Sequence, residues 1–139
     1  MIITTAEELR ALTGSYYANN DFTKIETMVR AVEQEVCSTL GLETLDTLEG
    51  DALLAARQAT AYMATMRFYR LNDISHENAG RKVKMDRENE ARPFEWQLAR
   101  DDRMHLEEYY RALDRLLFAL RDNEQFRQSK VWRQQQRLI

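Results

Sequence analysis

Four glycines and one proline, Pro93, are all that punctuate this 139-residue chain. Sheet-rich folds reverse direction often and need more turn residues than that, so the chain is constrained to long helices joined by few loops. The expected fold is all-α, a compact four- to five-helix bundle. It carries a long C-terminal helix and an irregular or short β-ribbon segment near residues 72–92. The length suits one core, and 44% hydrophobic with 31% charged residues suits a globular chain rather than a disordered one. We read residues 1–122 as a single helical domain and 123–139 as a basic tail or arm.

Capping signals place the first elements. Thr5 and Glu8 have the spacing of a capping box and Gly14 supplies a left-handed stop, which predicts a helix over 6–13. "SYYANND" reads as a loop, with Asn20 or Asp21 as the next N-cap. From Phe22 to Leu40, the residues Phe22, Ile25, Val29, Val32, Val36 and Leu40 recur at steps of three and four, one stripe of a helix that Gly41 ends. In the connection that follows, Leu42, Leu45 and Leu48 are available to tuck against the core.

Asp51 is the expected cap of a third helix reaching to about Arg70. Its sequence, "ALLAARQATAYMATMRFYR", has five alanines between 55 and 64 and few polar positions. A helix apolar nearly all round is buried centrally or meets another subunit. Residues 72–92 then break the helical period. Val83 and Met85 alternate with Lys82, Lys84 and Asp86, which suits a short ribbon after a turn at Asn78-Ala79-Gly80. Pro93 fits the first turn of the last helix, where its missing N–H costs nothing. A stripe of Leu98, Asp102, Leu106, Tyr109, Leu113, Leu116 and Leu120 runs along that helix.

The net charge of −3 divides unevenly. Residues 1–71 carry 6 basic and 10 acidic side chains, whereas the last 19 residues carry 5 basic and 2 acidic. This is too weak a basic face for a nucleic-acid domain. No apolar run approaches the roughly 20 residues that span a bilayer, and "MIITTAEELR" does not read as a signal peptide. The single cysteine, Cys37, cannot form an internal disulfide, so a reducing, intracellular setting is the simplest expectation.

The chemistry-bearing residues are sparse. Asp102, His105 and Glu108 stand at three-residue spacing on one helix, but a carboxylate-bridged metal site needs further ligands from other helices, and the third helix has no carboxylate beyond its cap. A solvated helix face is the plainer expectation for the three. Cys37 lacks an obvious histidine partner and reads as a packed side chain. No phosphate loop or zinc pattern occurs, and no catalytic residue, metal ligand or cofactor is assigned. Arg81, Lys82, Lys84 and Arg87 could meet a phosphate backbone, though acidic neighbours dilute them. In the tail, Trp132 beside Lys130 and Arg133 reads either as an interface anchor or, with Phe126, as a residue folded back on the bundle.

The order of parts resembles the small helical head–tail connector proteins (head-completion or neck adaptor proteins) of tailed phages and prophages, and more narrowly a branch from Bacteroides-type genomes. The resemblance covers about residues 1–122. It is carried by "MIITTAEELRALTG", by "DFTKIETMVRAVEQEVCSTLG", by the alanine-rich helix and by "RPFEWQLARDDRMHLEEYYRALDRLLFAL". Within the last block, Pro93, Trp96 and Gln97 match a "P-x-x-W-Q" helix start, and Ala112 to Leu117 match "ALDxLL". The resemblance implies a non-enzymatic structural protein that forms a homo-oligomeric ring on the portal and links head to tail. It implies portal and tail-completion proteins as partners, with no membrane and no specific nucleic-acid binding. The chain would be cytoplasmic in the host and then part of the virion neck. Phe126, Lys130, Trp132, Arg133 and Arg137 would form the partner-binding arm, and Arg81, Lys82, Lys84 and Trp96 an inter-subunit loop. The alternatives are a non-viral helical adaptor or regulator, a metal-dependent bundle enzyme using Asp102, His105 and Glu108, and a nucleic-acid packaging accessory.

Overall fold

The computed structural model describes residues 1–14, 17, 19–75, 83–84, 90–91 and 95–121, with backbone alone for 72–75, 83–84, 90–91 and 95–98. Within them the protein is an all-helical bundle. Its elements are α1 (Ala6–Thr13), a 3-10 turn (Phe22–Lys24), α2 (Glu26–Leu40), α3 (Gly50–Ser75) and α4 (Glu95–Leu120). Between α3 and α4, β1 (Val83–Lys84) pairs antiparallel with β2 (Glu90–Ala91), placing Val83 opposite Ala91 and Lys84 opposite Glu90. The expected turn at Asn78-Ala79-Gly80 and the proline at 93 lie outside the described residues.

Short-range chemistry explains the ends of α1. Thr5 Oγ1 accepts from the Glu8 N–H at 3.2 Å, and the Glu8 carboxylate reaches back to the Thr4 N–H at 2.9 Å. That is a capping box with its return bond shifted one residue outward. Gly14 closes the helix at φ +64°, a left-handed conformation that suits glycine.

The helix expected over 22–40 is split. Asp21 accepts from both the Thr23 N–H and the Thr23 hydroxyl, at 3.0 and 2.6 Å, and the Ile25 N–H donates to the Phe22 carbonyl. These local bonds tighten the first turn to the 3-10 form, and α2 begins only at Glu26. The stripe itself holds: Ile25, Val29, Val32, Val36 and Leu40 are buried and Phe22 packs partly against them. Gly41, at φ +72°, ends α2, and the Leu42 N–H donates to the Cys37 carbonyl at 2.9 Å. Leu42, Leu45 and Leu48 are all buried, tucked against the core as expected.

α3 is the centre of the molecule. It contacts α1, α2 and α4, and its contact with α4 is the most extensive between described helices. All five alanines between 55 and 64 are buried. The helix begins at Gly50, so Asp51 sits inside the first turn near the positive end of the helix dipole rather than capping it. Its far end runs to Ser75, past the expected stop near Arg70. "LNDIS" contains neither glycine nor proline, so nothing local halts the hydrogen-bond ladder there. Each 26-residue helix, α3 and α4, is about 39 Å long. Gln58 bonds Arg115 while Arg70 bonds Asp102, so the two helices run antiparallel.

Packing adds core residues to two of the expected segments. The loop "SYYANND" contributes a core residue, because Tyr17 is fully buried and meets the Phe68 and Tyr69 rings edge-on and tilted. Its hydroxyl donates to the Asp21 carbonyl at 2.8 Å, and Arg10 ties the loop through the Asn19 carbonyl and the Asn20 side chain. On α4 the buried stripe is His105, Tyr109, Ala112, Leu116 and Leu120, with Leu106 and Leu113 at its half-buried edge. Counting bulky apolar residues shifts the stripe toward the leucines, since Ala112 and His105 carry little weight in such a count.

A candidate interaction face along α3 and α4

The polar residues of α4 that suggested a metal site are divided among separate partners. The Asp102 carboxylate binds the Arg70 guanidinium of α3 at 3.2 and 3.3 Å. Glu108 binds Arg111 on its own helix at 2.9 Å. His105 is buried rather than solvated, which corrects the expectation of a solvated face. It lies against the Tyr62 ring, with centroids 6.0 Å apart, and Nδ1 is 2.7 Å from the Asp101 carbonyl. A carbonyl only accepts, so Nδ1 carries a proton and the ring is fixed in place as a core residue. Among the described residues no three His, Cys, Asp or Glu side chains are grouped to hold a metal ion.

Cys37 sits half-buried on an open hollow of about 420 Å³ near the end of α2, with Glu33, Gln34 and Asp46 on its rim. Burial raises the thiol pKa, and the Glu33 and Asp46 carboxylates raise it further. A nucleophilic cysteine requires the opposite environment. Burial also raises Glu33, partly offset by the Ile2 N–H that donates to its carboxylate at 2.6 Å. The Met1 ammonium pairs with Asp46 at 3.0 Å.

The seam between α3 and α4 has a different character. Near the start of α3 and the end of α4, an open groove of about 630 Å³ has Leu54 and Phe118 facing it from the two helices, with Glu49, Asp51, Asp114, Arg115 and Arg121 among the charged residues that line it. Leu54 is 50% exposed and Phe118 is 66% exposed, with the Arg121 guanidinium 4.1 Å from the Phe118 ring centroid. Farther along the seam a hollow of about 230 Å³ is lined by Tyr62, Met104, Glu107, Glu108 and Arg111.

The residues assigned from the sequence to an arm, Phe126, Lys130, Trp132, Arg133 and Arg137, lie outside the described residues, as do Arg81 and Lys82. Lys84 lies in β1 and Trp96 in the first turn of α4, with side chains outside the described residues. Leu54, Met104 and Phe118 were not singled out from the sequence. Their signal was present, however: Met104 and Phe118 fall off the apolar stripe of α4, and an apolar residue off the stripe is an exposed one. No helix of the described residues is long and apolar enough to cross a membrane. No protein-family model, curated protein or solved structure matches this chain.

Proposed function

We propose that the protein is non-enzymatic and acts by packing against other proteins, more narrowly as a head–tail connector that forms a ring on a phage or prophage portal and links head to tail. The observation that carries the first part is the α3–α4 seam, where exposed Leu54, Met104 and Phe118 stand among charged side chains, on two helices whose Asp102, His105 and Glu108 are engaged in the fold. The narrower reading is supported by the resemblance in helix order. In it, residues 123–139 are the arm that meets the portal, and the segment carrying Arg81, Lys82 and Lys84 with Trp96 is the inter-subunit loop. The same seam serves a second reading, a non-viral helical adaptor whose groove accepts a partner helix.

Mixing the protein with the portal and tail-completion proteins of its own genome tests the narrower reading. A ring complex visible by electron microscopy is expected, and deletion of 123–139 is expected to abolish it while leaving the helical circular-dichroism signal intact. Failure to form any complex would overturn the connector role. Undiminished binding by the truncated chain would remove the arm from it.

A further inference from the structure

Met104, Glu107, Arg111, Arg115 and Phe118 are separated by three or four residues and so form one stripe of α4, on the side away from the buried His105–Leu120 stripe. Met104 and Phe118, 42% and 66% exposed, stand near its two ends, about 21 Å apart along the helix. Each lies beside a hollow in the α3–α4 seam: Met104 with Tyr62 at one, Phe118 with Leu54 at the other. Between them the charges run acidic then basic, from Glu107 to Arg115.

We infer that this face is the interface for a second copy of the same chain, whose α4 lies antiparallel across it on a two-fold axis near Arg111. In that arrangement Met104 stands opposite the second copy's Phe118, and Glu107 opposite its Arg115, each pairing occurring twice by symmetry. Phe118 enters the hollow floored by Tyr62, and Met104 enters the groove beside Leu54. The two Arg111 side chains meet at the axis. They are surrounded by the Glu108 and Asp114 carboxylates of both copies, and Arg111 is already bonded to Glu108 within its own helix at 2.9 Å. A parallel pairing would set Glu107 against Glu107 and Arg115 against Arg115, so the order of charges selects the antiparallel register. This pairing is two-fold and closes with two copies; it does not depend on the connector reading, whose ring requires a head-to-tail contact through a different surface.

Sedimentation or light scattering of the full chain over about 1 to 100 µM tests the inference. A dimer is expected, and Phe118→Asp is expected to weaken it by at least about tenfold, because an exposed aromatic anchor is lost to a buried charge. Glu107→Arg alone is expected to weaken it by placing two arginines together. Adding Arg115→Glu to that variant is expected to recover most of the loss. All three positions are on the surface, and unchanged circular dichroism shows that the variants fold. A chain that stays monomeric to about 100 µM overturns the inference, as does a dimer indifferent to Phe118→Asp or a charge-swapped double variant no tighter than Glu107→Arg. Association that appears only after removal of 123–139 would assign the face to the chain's own tail, and that also overturns it.

Discussion

Tyr17 shows how a single residue can escape a reading of the sequence and still govern a region. It lies in a stretch of loop composition, yet it is fully buried among Phe68 and Tyr69 and holds the Asp21 carbonyl at 2.8 Å. Burial, helped by Tyr69 and Asp21, pushes its pKa to about 12. An unfolded tyrosine ionises near pH 10, so the folded state here holds its proton more tightly than the unfolded state does. The stability this confers is fully present below about pH 10 and is lost as pH rises through about 12. Urea unfolding midpoints are therefore expected to fall across that window, and to fall less in Tyr17→Phe. At neutral pH the same variant is expected to lose about 0.5–1.5 kcal/mol with its hydrogen bond. An unchanged alkaline slope in Tyr17→Phe would place the titration elsewhere. No periodicity announces such a residue, because its burial comes from the helices that cover the loop.

At the scale of elements, α3 was the most legible part of the chain, and α4 was legible except at two buried positions. Leucines, aromatics and alanines on every side of α3 predict a central helix, and Ala55, Ala56, Ala59, Ala61 and Ala64 are buried there. Small side chains let the neighbouring helices approach closely, so Ala59→Leu is expected to overpack the core. The expected cost is about 1–3 kcal/mol in chemical denaturation, with the helical signal retained. A neutral result would mean that space remains around α3. On α4 the expected stripe is buried at Tyr109, Leu116 and Leu120, and the contact extends sideways to His105 and Ala112, which an apolar count passes over. The difference is physical: a small or polar residue can occupy the middle of a contact when a large partner fills the space above it, as the Tyr62 ring does beside His105.

In the molecule as a whole, three arginines of the central helix reach one neighbour each. Arg57 pairs with Glu8 of α1 at 3.3 Å, Arg67 with Glu35 of α2 at 2.7 Å, and Arg70 with Asp102 of α4 at 3.2 Å. These pairs are partly exposed, so their contribution is small next to the core and is screened by salt. Glu35→Ala is expected to cost under about 1 kcal/mol in urea unfolding, and less at high ionic strength. A loss of several kcal/mol, insensitive to salt, would show that the bundle depends on that pair. The sequence by itself determined the all-helical class, the caps of α1, the stripe of α2 and the centrality of α3. Each of these follows from interactions within a few residues or from a periodicity of 3.6. Only the tertiary structure decided that Tyr17 and His105 are interior, that three arginines tie α3 to its neighbours, and that Leu54, Met104 and Phe118 share one face. Those facts depend on which surfaces meet across long separations in the chain; local pattern records only that Met104 and Phe118 fall off the stripe of α4.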